Sequence, residues 1–571
     1  MNNYNDIYNL WIENADKKSD VYAELKAIES SENEIKDRFY QNLTFGTAGL
    51  RGVIGAGTNR MNGYTVAKAT QGLADYLNSG FENPSAVIGY DSRVKSAEFA
   101  NAAAEVLAAN GVKVFIFSEL MPTPLVSFAV RELKASTGIV ITASHNPSKY
   151  NGYKCYDSNG YQMTDRAAAV TLEFIEKTDI FSGVKRMPFD ESVSQGKIIF
   201  IDDMLIEDFY KKTLSVGADN EILRGTDLKV IYTPLNGTGN RHVRNVLEMA
   251  GIKNIRVVAS QEKPDGNFPT CPYPNPEIPQ VYEEAFKMAG AFPADLIIAT
   301  DPDSDRIGLA ALHDGKYTLI NGNETSCLLT NYLLSRKKEL GTLPESPIVI
   351  KTIVTTELLA EITGDYGGEI FDLLTGFKYI GEKITELENA GELGRFQLGM
   401  EESYGYLPGA HVRDKDAVAA ALLATETAAY YKSKNKTLIE SLNDIYEKYG
   451  YYLNALQNFA FEGADGMKKM NAIMDGLRNA PPKAFGNLNV DKIADYGQSF
   501  SLDIKTREKT GLTLPKSNVL SFYLDGGCKI TVRPSGTEPK IKVYISSKAE
   551  NREKAEALLE YLSGEVKNAI K

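Results

Sequence analysis

Cysteine is sparse in this chain of 571 residues, and its four copies, Cys155, Cys271, Cys327 and Cys528, lie far apart. No two share a C-x-x-C spacing, so neither a disulfide framework nor a zinc site is expected and the thiols are predicted to be free. Histidine is equally scarce, and two of its four copies, His242 and His313, have no chemical company in sequence and read as structural residues. No uninterrupted apolar run approaches the length of a membrane span. The opening Met1-Asn-Asn-Tyr-Asn-Asp lacks the basic and then apolar pattern of a secretory signal, so a soluble, cytoplasmic protein is expected. A positive balance is missing too: the formal charge of −12 argues against nucleic acid or an anionic membrane as partner. Short repeats and low-complexity tracts are also absent.

What is present is a globular composition, 43% hydrophobic and 24% charged. Over this length it predicts roughly three to five domains of ordinary size. Strand-forming Ser85–Asp91, an Ala-rich helix from Ala97 to Ala109, the strand Val112–Phe117, a helix near Leu125 to Leu133 and the strand Ser136–Thr142 follow in the order βαβαβ. A second such unit starts at Asp227–Tyr232 and ends in an aspartate-rich loop near residue 301. A third begins with the helix from Glu324 and the strand Pro347–Lys351. The last segment differs, with Tyr523, Ile530 and Val543 in strands and a closing helix from Asn551, as in a small α+β domain. Boundaries are expected near residues 205, 322 and 450.

Chemistry concentrates first at Thr142-Ala143-Ser144-His145-Asn146-Pro147. The β-branched run before it places Ser144 just past the carboxyl end of a buried strand, where open α/β sheets bind ligands. Tyr150-Asn151-Gly152-Tyr153-Lys154 then reads as a second turn carrying a cation that can return to the serine. The stretch has the composition of a nucleophile loop; its plain alternative is a strand-to-loop turn in which Ser144 and Asn146 cap backbone groups. No G-x-S-x-G elbow surrounds Ser144, which excludes the lipase and esterase pattern.

A second apolar strand, Asp295–Thr300, ends in Asp301-Pro-Asp303-Ser-Asp305-Arg306, with three carboxylates at alternate positions. An all-carboxylate set suits a hard cation, Mg²⁺ before Ca²⁺ or Mn²⁺, whereas zinc more often recruits Cys or His. A calcium EF-hand needs Gly at the sixth place and Glu at the twelfth, where this chain has Arg306 and Leu312. A solvated acidic turn is the plain alternative. Arg533-Pro-Ser535-Gly536-Thr537-Glu538-Pro-Lys540, after the strand Cys528–Val532, offers hydroxyls, backbone N–H groups and a guanidinium, the parts of a phosphate cradle. Glu401-Glu402-Ser403-Tyr404-Gly405 and Thr375-Gly376-Phe377-Lys378 supply the carboxylate, hydroxyl and ammonium groups that hold a polyol. A structural turn explains any one of these segments equally well.

Taken together and in this order, the motifs resemble the α-D-phosphohexomutase superfamily, from about Phe45 to about Lys542, with Phe45-Gly-Thr-Ala-Gly-Leu-Arg51-Gly52 matching the family's opening motif. The resemblance implies four domains around a central cleft, three similar α/β domains with mixed sheets (1–205, 206–322 and 323–449) and a C-terminal α+β domain (450–571). It implies a phosphoserine enzyme that gives its phosphoryl group to a sugar monophosphate and takes one back from the resulting bisphosphate. On this pattern Ser144 is the phosphoserine and, with Asp301, Asp303 and Asp305, a ligand of Mg²⁺. Arg51 reaches the transferring phosphoryl group, Arg306 lies close by, and Lys154, His411, Lys415 and His145 supply active-site cations or proton transfer. Either Lys154 or His411 fits the acid/base role if its pKa falls. Glu401 and Ser403, with Thr375, Gly376 and Lys378, hold the sugar, while Arg533, Ser535, Gly536 and Thr537 hold the non-reacting phosphate.

Departures within the superfamily point to substrate. One branch, the bifunctional phosphomannomutase/phosphoglucomutases, carries a loop histidine in E-x-S-G-H, but here Tyr404-Gly405 follows Glu401-Glu-Ser403. The longer run to His411-Val-Arg413-Asp-Lys415-Asp416 resembles the α-phosphoglucomutase type. The expected activity is therefore interconversion of glucose 1-phosphate and glucose 6-phosphate, with glucose 1,6-bisphosphate as intermediate and activator. A phosphopentomutase, a phosphomannomutase or a non-catalytic sugar-phosphate sensor on the same scaffold is the alternative. A monomer or weak homodimer is expected.

Overall fold

The computed structural model describes residues 4–46, 49–461, 465–535 and 539–570. The chain divides into two compact units, Met1–Gly322 with Ile380–Thr437, and Asn323–Tyr379 with Leu438–Lys571.

The first unit holds two mixed sheets. In the first, Thr137–Ile141 and Lys113–Ile116 run parallel on either side of Ser85–Tyr90, and Ile198–Phe200 continues the parallel order. All five residues of Thr137–Ile141 are buried, as a strand covered by helices on both faces requires. Helices Gly63–Gly80, Ser96–Ala109 and Thr123–Glu132 form the cover. The other edge departs from the sequence reading. Tyr150–Tyr156, expected as a turn, is a strand antiparallel to Thr137–Ile141, and Leu50–Val53 from the Gly-rich opening motif pairs with it in turn. Lys154 therefore projects from a sheet and not from the serine's loop.

The second sheet places Lys229–Thr233 between Asn254–Val257 and Leu296–Thr300, all parallel, and adds Ile307–His313 and Lys316–Ile320 antiparallel at one edge. The turn joining Leu296–Thr300 to Ile307–His313 is the aspartate loop. It rests on backbone: Thr238 donates its N–H to Pro302 O at 2.8 Å, and Ala417 its N–H to Ser304 O at 3.1 Å. Ser304 reverses the chain at φ 54. Behind it, helix Ala417–Ser433 is buried from Ala417 through Tyr431, which is why its sequence is apolar on every face. Three helices ahead of the first sheet, over residues 4–39, had no counterpart in the sequence reading; Tyr8 and Trp11 pack edge-to-face on Phe39.

In the second unit, Ile348–Thr352 and Glu369–Leu373 pair in parallel. The C-terminal part is an antiparallel sheet in which Tyr451–Ala460, Lys540–Ala549, Lys529–Pro534, Leu520–Leu524 and Leu488–Asp495 follow in spatial order. Its core packs Met470, Phe522, Ile530, Val543 and Leu562, so the expected α+β segment is present. A charged knot also lies here: Lys351 meets Asp372 at 2.6 Å and Glu357 at 3.3 Å, and Lys529 donates to Glu357 at 2.6 Å. Among the described residues no helix is long and apolar enough to cross a membrane, and all four cysteines are free and buried.

Two outcomes follow from this packing. A methyl group at Gly237 would lie 2.4 Å from Pro302 Cα, so Gly237→Ala should cost about 1–3 kcal/mol in urea denaturation. Gly63→Ala, with open space around it, should not carry that loss. Burial opposes ionisation of Glu357, but Lys351 and Lys529 outweigh it and hold its pKa at about 2. Its carboxylate then stabilises the folded state above the unfolded value near 4.5, a contribution lost as pH falls from there towards 2. Glu357→Gln should flatten the unfolding free energy of the full chain across that window by on the order of 2 kcal/mol.

Candidate active site

Ser144 lies at the carboxyl end of Thr137–Ile141, buried, with φ 51 in the left-handed region that a serine enters at a cost. Its N–H donates to Thr142 Oγ1 at 2.8 Å, a local turn that helps fix the reversal. Its Oγ donates to Asp301 Oδ2 at 2.7 Å and lies 3.1 Å from His145 Nδ1. The serine of one domain thus bonds the carboxylate loop of the next.

Asp301, Asp303 and Asp305 are all buried, and one oxygen from each falls within 4.8 Å of the others. Asp301 Oδ1 accepts the N–H groups of Asp305 at 3.1 Å and Arg306 at 2.9 Å. Asp303 Oδ2 accepts from Thr123 Oγ1 at 2.9 Å and Lys154 Nζ at 2.7 Å; Lys154 also reaches Asp305 at 3.0 Å. Lys415 lies 3.4 Å from Asp305 and 3.1 Å from Asp414. Asp303 Oδ1 and Asp305 Oδ1 are buried without a hydrogen-bond partner among the described residues. Buried carboxylate oxygens left in this way, with no Cys or His in the group, fit a hard divalent cation such as Mg²⁺.

The electrostatics follow from this crowding. Burial, then the charges of Asp303 and Asp305, raises the pKa of Asp301 well above the usual carboxylate range. Burial acts the same way on Asp305, but Lys154, Lys415 and Arg306 outweigh it and hold that carboxyl far below the usual range. Burial works against the ammonium of Lys154, yet Asp303 and Asp305 prevail and raise its pKa; Asp305 and Asp414 do the same for Lys415. The condition on which Lys154 would fit the acid/base role, a lowered pKa, is not met: the carboxylates hold it as a cation. His145 moves the other way, pushed far down by burial and by Arg306 and Arg51, so its ring is neutral at pH 7.

Arg51 stands on Leu50–Val53, exposed, with Asp303, Asp305 and Arg306 as electrostatic neighbours. Arg306 pairs with Glu277 at 2.6 Å. Glu401 ends Phe396–Glu401 and acts electrostatically on Lys415 and Arg306. Ser403 sits in the turn to Gly405–Pro408, and Tyr404 O accepts the N–H of Ile307 at 3.0 Å, tying that turn to the aspartate loop.

Comparison with known proteins places the chain. The family descriptions "Phosphoglucomutase/phosphomannomutase, alpha/beta/alpha domain I", "domain II" and "domain III" match residues 42–179, 207–314 and 321–449. A phosphoglucomutase of Staphylococcus aureus (strain bovine RF122 / ET3-1) is 37% identical over 551 residues, spanning 95% of this chain and 96% of that protein. The chain belongs to the phosphoglucomutase/phosphomannomutase family. Solved structures share the fold. The open form of parafusin, a phosphoglucomutase from Paramecium, has a TM-score of 0.69 at 18% identity, covering 93% of this chain and 96% of that one. The N-acetylphosphoglucosamine mutase of Aspergillus fumigatus, in complex with GlcNAc-6P and magnesium, has a TM-score of 0.51 at 15% identity, covering 93% and 97%.

In this member of the family, the first unit brings together Arg51, Ser144, His145, Lys154, the three aspartates, Arg306, Glu401 and Lys415. His411 is directed elsewhere. Its Nε2 bonds Asp416 at 2.8 Å, the carboxylate that also caps Ala417–Ser433, and its ring packs 5.8 Å from Phe209. His242 bonds Tyr210 at 3.0 Å and His313 bonds Thr437 at 3.2 Å, as structural histidines do. The second unit carries Thr375, Gly376 at φ 119, Lys378 over the Tyr379 ring, Arg533 on Lys529–Pro534, and Ser535, whose N–H bonds Lys540 O at 2.7 Å. Gly536 and Thr537 lie outside the described residues.

Sequence reading missed Thr123 and Glu277, which brace the aspartate loop, and Asp91-Ser92-Arg93, which grips the serine loop. The last had a signal: charges directly after the apolar strand Ser85–Tyr90. Asp303→Asn should raise the Kd for Mg²⁺ at least about tenfold, because it removes one anionic donor of three. Isothermal titration of the folded variant checks it.

Proposed function

We propose that this family member is a phosphoglucomutase, interconverting α-D-glucose 1-phosphate and glucose 6-phosphate through phosphorylated Ser144 and glucose 1,6-bisphosphate. The observation that carries the reading is the 2.7 Å bond from Ser144 Oγ to Asp301, joining a hydroxyl to a carboxylate triad in a chain akin to phosphoglucomutases over 95% of its length. Asp301, Asp303 and Asp305, with a Ser144 oxygen, would hold Mg²⁺, which when bound supplies positive charge to the transferring phosphoryl oxygens.

The chain's own residues do the rest. Arg51, the exposed cation beside the cluster, meets the phosphoryl group, and Lys154, Lys415 and Arg306 keep the carboxylates neutralised. The bond from phosphorus to Ser144 Oγ breaks as the bond to a sugar hydroxyl oxygen forms. That hydroxyl loses a proton and Ser144 Oγ gains one, for which His145 Nδ1 at 3.1 Å is the adjacent group. Glu401 and Ser403 orient the sugar by paired hydrogen bonds. Arg533 and Ser535, with Gly536 and Thr537, take the phosphate that stays in place. The bisphosphate turns end for end and the reverse transfer restores phosphoserine.

A glucose-6-phosphate dehydrogenase-coupled assay with glucose 1-phosphate, Mg²⁺ and catalytic glucose 1,6-bisphosphate tests the reading, and turnover is expected. Ser144→Ala should lower it by at least about a thousandfold and abolish labelling by bisphosphate. Turnover of that variant at the wild-type rate would refute the phosphoserine. Greater kcat/KM on mannose 1-phosphate or ribose 1-phosphate would keep the chemistry and move the substrate.

A further inference from the structure

Ser85–Tyr90 and Thr137–Ile141 are parallel neighbours with Tyr90 opposite Ile141, so Asp91–Arg93 and Thr142–Ser144 leave the sheet side by side. The two segments are tied at once, by Asp91 N–H to Ile141 O at 3.1 Å and by Thr142 Oγ1 to Asp91 Oδ2 at 2.7 Å. Asp91 Oδ1 also accepts Ser96 Oγ at 2.7 Å and the Arg93 N–H at 2.9 Å, and Arg93 Nε lies 3.3 Å from the same carboxylate. Both side chains are fully buried.

The guanidinium then reaches into the serine loop. One terminal nitrogen donates to Ser144 O at 2.5 Å and to Asn146 O; the other donates to Pro147 O at 2.9 Å and Tyr150 O at 3.1 Å. These carbonyls belong to a segment that leaves regular structure at a left-handed serine and contains a proline with no N–H to offer; the loop gives Pro147 O the N–H of Tyr150 at 3.0 Å, and Arg93 supplies the donors for Ser144 O and Asn146 O. A planar fork of donors gathers them from one point; an ammonium has neither the plane nor the spread. The second domain closes the far side. The Phe268 ring lies 5.0 Å from the guanidinium carbon, and Gly266 approaches so closely that a methyl group there would sit 2.4 Å from Val94 N.

We propose that Arg93 is a positioning residue for phosphoryl transfer: by holding the carbonyls of residues 144, 146, 147 and 150 it fixes Ser144 in its left-handed turn with Oγ aimed at Asp301. It touches neither the hydroxyl nor the carboxylate triad, and it acts through the backbone. The inference rests on the reading of Ser144 as the phosphoryl acceptor.

Arg93→Lys keeps a positive charge beside Asp91 but loses the fork. It should lower kcat for glucose 1-phosphate about a hundredfold, the scale of a misplacement near 1 Å, with KM changed less than about twofold. The single-turnover rate of Ser144 phosphorylation by glucose 1,6-bisphosphate should fall in parallel, and by far more than the unfolded fraction of the variant accounts for. Methylguanidinium added to Arg93→Gly should restore part of kcat, which a residue serving stability alone would not give. If Arg93→Lys does not fold, the neutral pair Asp91→Asn with Arg93→Gln carries the same kinetic test without a buried lone charge. Wild-type kcat in the folded variant, or a loss matched by the unfolded fraction and not rescued, overturns the inference. Ser144→Ala in parallel separates the two claims. If it is inactive while Arg93→Lys is fully active, positioning alone fails; if it is active, the phosphoserine reading fails first.

Discussion

Three carboxylates buried in one turn are the constraint around which the first unit is organised. Isolated in a low-dielectric interior, such charges cost several kcal/mol each, and only paired cations and hydrogen bonds make the arrangement tolerable. The compensation comes from far along the chain: Lys154 from a strand of the first sheet, Lys415 from the turn before the buried helix, Thr123 from a third element. The charges of the aspartate loop are therefore balanced only when these segments are folded around it. The same requirement explains why backbone from both sides, at Thr238 and Ala417, anchors the loop and leaves it little freedom to splay.

The sequence was legible where structure is local. An apolar strand followed by a turn with a hydroxyl, or by carboxylates at alternate positions, carries its geometry in consecutive residues, and both motifs fall at strand ends. Asn151-Gly152 misled because the pair usually marks a turn; here the partners on both sides, Leu50–Val53 and Thr137–Ile141, override local preference. Nothing near residue 93 announces that its guanidinium meets carbonyls some fifty positions later, and nothing near Lys351 announces Lys529. Such pairings are properties of topology. His411 shows the converse. It lies within the run that ends in Lys415 and Asp416, yet the start of a helix turns its ring onto the capping carboxylate.

The division of labour among the ionisable groups also follows from packing. Lys154 and Lys415 have carboxylates close enough to outweigh desolvation, so each remains a cation and serves as fixed charge. His145 has the opposite company, arginines without a carboxylate in contact, and remains a neutral ring beside Oγ. A reaction that moves a dianion between oxygens needs both kinds of group, charges that do not titrate and one site that exchanges a proton. Similar burial yields the two behaviours because the sign of the nearest neighbours differs.

That reasoning extends to the whole chain. A protein of net charge −12 repels a phosphorylated sugar at long range, and the field that attracts it has to be local. The lysines at the triad are committed to aspartates, so they cancel charge there and leave little to offer an incoming anion. Arg51 differs, being exposed and having only electrostatic neighbours among the described residues. Strand alternation buries Leu50 and presents the next residue, Arg51, to solvent beside the cluster, so the short antiparallel edge Leu50–Val53 supplies the cation that is not already spent. The edge strand that carries the Gly-rich opening motif thus presents an exposed cation beside the carboxylates of an acidic protein.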